Sequence, residues 1–524
     1  AVRLSLTALP DSPLEEATPV WVQWEMPNVD GDIAEYGRPL TLTKGKPTAV
    51  WLYAPTHPTD RNAVWTFRVF AYVDGDRGPE LAGARLSPSG QVPFDNQLKS
   101  MIAVVGSSNL QLDQYALTNR PTGGGLLRTA HEDTLVIPGL RPEDLPDRWE
   151  GYRMLEALAW SDALPQDLRD DQVEAIVEWI RRGGHLVISL PEICNPWGLG
   201  APGQIPRALE RLMPAQPRRD PGVPRSTLVP VMTKARGLWP TVPDFEVAVQ
   251  VFQDLDDGFD AIDPPYQPLI ALPDGRVFVI QRRFGHGLAT VIGVDLSSAQ
   301  LSALRLSSGA FEAPQADAFW NRILGRRADT PLASEVKAIE EAQLLIQRGN
   351  VQEVSVGPAD LVQGQINMSG KAGVGLLLAL GLFAVYWVVA GPGGYYGLKS
   401  YKLVRHSWLF FAGCAVLFTA VAWIGVLALR GNEVTVRHLT VLDIISDPTA
   451  DPTDPADPPL QRALSWMSMY LPGYEDAALE IESLEAAGVA FPEQRDLLFS
   501  WIPPDANVQA FPNVDRYLVN LREQ

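Results

Sequence analysis

Two uncharged apolar stretches, Ala372 to Ala390 and Leu409 to Leu429, constrain this chain more than any other feature of it. As a helix rising 1.5 Å per residue the first runs about 28 Å, close to the hydrocarbon thickness of a bilayer, and the second is of similar length. Tyr386, Trp387, Trp408 and Trp423 supply aromatic side chains of the kind that settle at membrane interfaces. Between the stretches lie Lys399, Lys402, Arg405 and His406, with no acidic residue. Basic loops stay on the cytoplasmic side, so the expectation is a two-pass hairpin with this loop in the cytoplasm. Residues 1–371 and 430–524 then both lie outside the cytoplasm. Gly391-Pro392-Gly393-Gly394 is expected to end the first helix as the chain leaves the bilayer.

At 524 residues the chain has room for about three or four folding units. Its 43 Lys and Arg against 62 Asp and Glu give a net charge of -19, which repels polyphosphate and argues against nucleic-acid binding. Only Cys194 and Cys414 are present, too few for a disulfide framework or a Cys-based zinc site. The opening Ala1-Val2-Arg3-Leu4 shows no signal-peptide pattern, and Tyr517 to Leu521 still reads as regular structure, so the natural chain is expected to continue.

Residues 1–97 are rich in short aromatic and β-branched runs, such as Val20-Trp21-Val22-Gln23-Trp24 and Val64-Trp65-Thr66-Phe67, punctuated by Asp30-Gly31 and Asp74-Gly75. That pattern predicts a β-sandwich with the tryptophans in its core; carbohydrate-binding surface aromatics are the sharper alternative. Residues 98–330 change to continuous apolar runs, Met101 to Gly106, Thr134 to Ile137 and Leu155 to Trp160, set apart by helix or loop lengths. Such alternation predicts a parallel sheet with helices on its faces. Asp170 or Asp171 should cap a helix with Val173, Ile176, Val177 and Ile180 along one stripe, closed by Gly183-Gly184 and followed by a strand from His185 to Leu190. A β-rich insertion ends in a hairpin turning at Phe284-Gly285-His286-Gly287.

Residues 331–371 form a helical or extended connector, 372–430 the hairpin, and 431–524 a β-rich domain. The last opens with a strand from Glu433 to Ile445 and an extended Asp/Pro-rich loop from Asp447 to Pro459. A calcium loop is disfavoured there, because the Gly turn and terminal Glu are missing.

The segment Trp179-Ile180-Arg181-Arg182-Gly183-Gly184-His185-Leu186-Val187-Ile188, within Met101 to Arg327, resembles the class I glutamine amidotransferase-like domain. The resemblance implies a flavodoxin-like fold and, in active members, a nucleophilic cysteine in a Gly-x-Cys-x-Gly elbow after this strand, with a downstream His and Glu. Here the elbow region is Ser189-Leu190-Pro191-Glu192-Ile193-Cys194: the cysteine arrives late, without its glycines, and no His-x-Glu pair follows. Cys194 is therefore a weak catalytic candidate, and the domain reads as non-catalytic.

The remaining motifs carry little. Gly198-Leu199-Gly200-Ala201-Pro202-Gly203 matches a dinucleotide pattern by letters only, since Pro202 interrupts the turn. The six histidines lack metal-ligand spacing, and His131-Glu132-Asp133 reads as a solvated loop. No cofactor or metal is expected.

A β-domain, an amidotransferase-like domain without its nucleophile and a two-helix hairpin together resemble bacterial envelope proteins, some encoded beside MoxR-type ATPases and von Willebrand A-domain proteins. The expected fold class is multidomain α/β plus β with a transmembrane helical hairpin. The expected function is a non-enzymatic scaffold or binding component of an envelope complex, with membrane lipid and other envelope proteins as partners. The alternatives are an accessory subunit of an ABC-type export system and a Cys194-dependent amidotransferase or hydrolase.

Overall fold

The computed structural model describes residues 2–27, 33–54, 64–86, 100–112, 134–192, 196–198, 206–213, 217–233, 246–255, 265–298, 301, 315–325, 370–429, 435–445, 460–470 and 516–520, less a few single positions within them. The chain divides into two compact units, one of Ala1–Val351, Ile445–Leu460 and Pro492–Gln524, the other of Gln352–Ile444 and Gln461–Phe491.

The first unit opens with strands β1 (Val2–Thr7), β2 (Ala17–Pro27), β3 (Ile33–Thr43), β4 (Pro47–Leu52), β5 (Trp65–Val73) and β6 (Asp76–Leu86). The order β3-β2-β5-β6 is antiparallel throughout, and β1 pairs antiparallel with β4 as a separate ribbon. Alternate residues of β2, Val20, Val22 and Trp24, share one core with Val50 and Leu52 of β4 and with Trp65 and Phe67 of β5. Trp24 packs at 4.9 Å from Trp65 and 5.6 Å from Phe67, so these aromatics are core, as their spacing predicts. Trp21 lies on the opposite face, its ring filling the space over Gly37 where a β-carbon would sit 2.4 Å away. The same face buries Glu25 and Glu35, which pair with Arg68 at 2.9 Å and Arg77 at 2.7 Å.

The chain then builds β7 (Ser100–Val105), β8 (Thr134–Leu140), β9 (Leu155–Trp160), helix α1 (Asp170–Arg181), β10 (His185–Ser189), the short α2 (Arg207–Glu210), β11 (Arg218–Pro224), α3 (Arg225–Thr233), β12 (Glu246–Val251), β13 (Gln267–Ala271), β14 (Val277–Phe284), β15 (Gly287–Ile292) and α4 (Gln315–Ile323). Seven of these strands form one sheet in the order β13-β14-β15-β10-β9-β7-β8. The five from β15 to β8 are mutually parallel; β14 and β13 extend the sheet antiparallel. Alternation divides the sheet's side chains between two cores. Val105, Leu158, Trp160, Leu186 and Ile188 meet α1, while Ile102, Val104, Ala159 and Val187 meet α3 and α4. A parallel sheet buried on both faces explains why these strands are apolar runs in the sequence.

Helix α1 bears out the stripe of Val173, Ile176, Val177 and Ile180, all buried, but Arg169 rather than an aspartate occupies the cap. Gln172 Oε1 accepts the Arg169 amide at 3.0 Å, and Asp170 and Asp171 lie in the first turn, where negative charge suits the helix dipole. At its other end the hairpin of β14 and β15 closes on the helix. The amide of His286 donates to Arg181 O at 2.8 Å, that of Leu288 to Gly184 O at 3.0 Å, and Gly285 turns at φ +60°.

The second unit holds α5 (Gly370–Val388), a π-helical turn at Val389–Gly393, α6 (Gly394–Ser400), a short 3-10 turn at Val404–His406 and α7 (Ser407–Leu429). Helix α5 ends at Val388, just ahead of Gly391-Pro392, as expected, but no open loop follows. Gly391 leaves helical geometry (φ -92°, ψ -105°), yet the chain resumes as α6 through Ser400. The wide π turn accommodates Pro392, which has no N–H to give. Lys399 therefore lies in the last turn of a helix and not in an open loop. Ala372 falls in α5, Ala390 in the π turn, and Leu409 and Leu429 in α7.

Strands β16 (Thr435–Ile445) and β17 (Leu460–Tyr470) pair with each other, and β18 (Arg516–Asn520) adds parallel to β3 at the edge of the first sheet, with Arg516 opposite Ile33. The charged helix expected from Ser334 to Arg348 and the Asp447 to Pro459 loop lie outside the described residues.

Candidate functional site

Parallel sheets of this kind bind ligands beyond the carboxyl ends of their strands, where the strand order reverses. Here the reversal lies between β7 and β9, since the chain passes from β7 outward to β8 and then back to β9. At the end of β7, Gly106 turns at φ +118°, and a β-carbon on it would lie 2.1 Å from Ser161 Oγ and 2.4 Å from Asp162 Oδ1. Only glycine allows the loop after β7 to press against the one after β9.

Asp162 joins the two loops. Its Oδ1 accepts the Ser107 amide at 2.7 Å and the Ser161 hydroxyl at 2.9 Å, and its Oδ2 accepts the Ser107 hydroxyl. Partial burial works against the charged form, but these bonds from Ser107 and Ser161 outweigh it and hold the carboxyl below its ordinary value. Just beyond, Leu110 and Gln111 both adopt positive φ, 49° and 60°. Burial of Leu110, the Trp320 indole bonded to Leu110 O at 3.1 Å and the Gln111 amide bonded to Leu296 O at 3.0 Å hold them there. The edge is thus rigid and acceptor-rich, with an exposed carboxylate at its centre. In the sequence only the Gly106-Ser107-Ser108-Asn109 run directly after an apolar strand marks this loop; its pairing with Asp162 is not encoded locally.

The neighbouring strand end, where an amidotransferase would carry its nucleophile, is filled. Ser189 is buried, donates through Oγ to Val294 O at 3.0 Å and accepts the Leu296 amide at 3.3 Å. Leu190 and Trp197 are buried in the core on the other face of the sheet, and the Glu192 amide is bonded to Asp295 Oδ2 at 3.0 Å. Cys194, the Leu199 to Gly203 glycine run and His131-Glu132-Asp133 lie outside the described residues. His185 stands at the amino end of β10, about 13 Å of strand from Ser189. Its Nε2 meets Thr290 Oγ1 at 2.7 Å, and burial lowers its pKa to about 4. His286 is in the hairpin turn, and His406 is exposed between the apolar helices. Among the described residues no three His, Cys, Asp or Glu side chains gather as a metal site.

The apolar helices present a second candidate surface. The segments Leu377–Ser400 and Val404–Gly425 are long and apolar enough to cross a membrane, and only 6% of each is buried within the protein. A soluble core helix of that composition would be covered. Here Leu377, Phe383, Trp387, Trp408, Val416 and Trp423 are each more than half exposed. Between the helices Tyr386 packs on Phe418 at 5.4 Å and Phe411 at 6.2 Å, and Gly394 allows the Phe410 ring to approach α6. Lys399, Lys402 and Arg405 are all exposed at the join.

No family model matches this chain, and no curated protein matches it. Solved structures similar to it include an exo-β-1,4-mannosidase from Opitutaceae bacterium strain TAV5, at TM-score 0.22 and 12% identity over 39% of this chain and 33% of the other. Cytoplasmic Protein STM1381 from Salmonella typhimurium LT2 gives TM-score 0.27 and 13% identity over 43% of this chain and 98% of the other. A β-galactosidase from Bacillus circulans sp. alkalophilus gives TM-score 0.24 and 13% identity over 44% and 32%. The chain spans about a third of the length of the two glycosidases, and likenesses this slight carry no argument about what it does.

Proposed function

We propose that this protein is a non-enzymatic scaffold or binding component of a bacterial cell-envelope membrane complex, held in the inner membrane by its two-helix hairpin. The observation that carries the reading is the occupied end of β10: Ser189 is buried, and its Oγ both donates to Val294 O and accepts the Leu296 amide. A nucleophile needs an exposed elbow and a base within reach, and the described residues at this edge offer a clasp of Ser107 with Asp162 instead.

The order of the five parallel strands, second-first-third-fourth-fifth in chain sequence, supports a flavodoxin-like domain of the amidotransferase-like kind. Two further features support membrane anchoring with both large regions on one side. Uncovered apolar helices of bilayer length are stable only in lipid. The pairing of β18 with β3 requires an even number of crossings between Ile33 and Arg516, and the hairpin supplies two. Exposed Val436, Val441, Leu442 and Ile444 on β16 favour a partner-binding role.

The test is complementation of a deletion strain. A Cys194→Ala chain should correct the deletion phenotype and co-purify with the same envelope partners in mild detergent as the parent chain. Loss of complementation by a stably expressed Cys194→Ala chain would overturn the non-enzymatic reading.

A further inference from the structure

We propose that the turn joining α6 to α7 binds the anionic headgroups of phospholipids, with Lys399, Lys402 and Arg405 as its cationic ligands. The proposal rests on the membrane-spanning reading and adds to it the class of lipid.

The backbone points to Lys402 first. Helix α6 ends with the Leu403 amide donating to Leu398 O at 2.8 Å and the Lys402 amide to Lys399 O at 3.2 Å. This is the double bond of a Schellman cap, and it puts Lys402 at the left-handed position, φ +59°, that glycine ordinarily takes. Of the three non-glycine residues with positive φ among the described residues, Leu110 is held by the core and Gln111 by a hydrogen bond. Lys402 is exposed, so packing gives no reason for a lysine in a glycine's place. Backbone strain without a packing return marks a side chain kept for what it meets.

Charge and depth identify the partner. The protein carries a net charge of -19, yet residues 391–408 contain two lysines, an arginine and no acidic residue. Tyr396 is 70% exposed, Tyr401 79% and Trp408 69%, and all three flank the cations. Amphipathic aromatic rings beside lysine and arginine, at the end of helices of hydrocarbon length, match the headgroup layer of a bilayer. An acidic protein would meet the same cations but would leave the rings without an apolar boundary to enter.

The test uses the full chain reconstituted in phosphatidylcholine bilayers with trace spin-labelled phosphatidylglycerol or phosphatidylcholine, and reads the relative association of each lipid with the protein by electron spin resonance. The expected result is a preference of about five-fold for phosphatidylglycerol, screened by 1 M salt and abolished in the Lys399→Gln, Lys402→Gln, Arg405→Gln protein. Lys402→Gly, which relieves the backbone, should lower the preference without lowering the melting temperature. Equal association of the two lipids with the parent chain, or an unchanged preference in the triple variant, overturns the headgroup assignment and leaves the membrane reading standing. Absence of any motionally restricted lipid with either probe overturns both.

Discussion

Tyr53 and Asp147 hold each other twice: the phenol donates to the Asp147 carboxylate, and its oxygen accepts the Asp147 amide at 3.1 Å. Tyr53 follows β4 of the β1–β4 ribbon and Asp147 lies between β8 and β9, so the pair bolts the first β-region to the α/β domain. Arg38 of β3 completes the join by donating to Asp147 Oδ2 at 2.8 Å. Burial first, and then the Asp147 charge, push the Tyr53 phenol far above its ordinary pKa, so it remains a donor. Tyr53→Phe should cost about 1–2 kcal/mol, read as a lower denaturant midpoint with an unchanged slope. A fall in the slope or a second transition would show that the two regions unfold separately.

His185 should make the fold acid-sensitive. Its pKa is about 4 in the folded protein against about 6.5 in an unfolded chain, so the unfolded state binds the extra proton between those values. The stability from keeping it neutral is complete above about pH 6.5 and is lost as pH falls through 4, a change on the order of 3 kcal/mol. Thr290 Oγ1 accepts from Gln281 Nε2 at 3.0 Å, which leaves its own proton for the neutral ring of His185. Unfolding free energies measured between pH 4 and 7 should slope in the parent chain and flatten in His185→Gln.

The close approach of the β14–β15 hairpin to α1 predicts a severe glycine substitution. A β-carbon at Gly287 would lie 2.0 Å from Ile180 O and 2.3 Å from Gly184 O, both backbone atoms of a buried join. Gly287→Ala should destabilise by about 1–3 kcal/mol or more and lower the melting temperature. Gly275→Ala offers the control for removing a glycine: its φ of +90° is strained, but nothing lies within 4 Å, so its effect is the smaller.

Topology gives a fourth expectation. In intact cells a cysteine replacing exposed Leu81 should react with an impermeant reagent from outside, and one replacing Lys402 should react only after the membrane is opened. The opposite pattern would invert the orientation.

How much of this was legible beforehand depends on how locally each feature is encoded. The stripe of α1, the parallel runs and the Gly285-His286 turn were readable because periodicity and turn chemistry act within a few residues. The end of α5 was readable from the Gly-Pro breaker, whereas the helix that resumes at Gly394 was not, because local rules predict a loop after such a stop. The Asp162 clasp was invisible for another reason: Ser107 and Asp162 are 55 positions apart and meet only because β7 and β9 are neighbours in the sheet. Arg169 at the head of α1 defeats a rule that looks for a short acceptor at the cap, since Asp171 Oδ1 takes the Gln172 amide at 2.8 Å and Gln172 Oε1 takes that of Arg169, both from inside the first turn.

The place of β18 beside β3 bears on how the protein is made. A ribosome adding roughly 5–20 residues per second finishes Ile33 to Thr43 tens of seconds before it reaches Arg516. Through that interval the edge of β3 has no strand to bond to, and two apolar helices must be inserted before its partner appears. An open edge is a template for stray pairing, so nascent chains of this protein should depend on chaperones until β18 is made, and a strand that arrives so long after its neighbours acts as the closing stitch of that sheet.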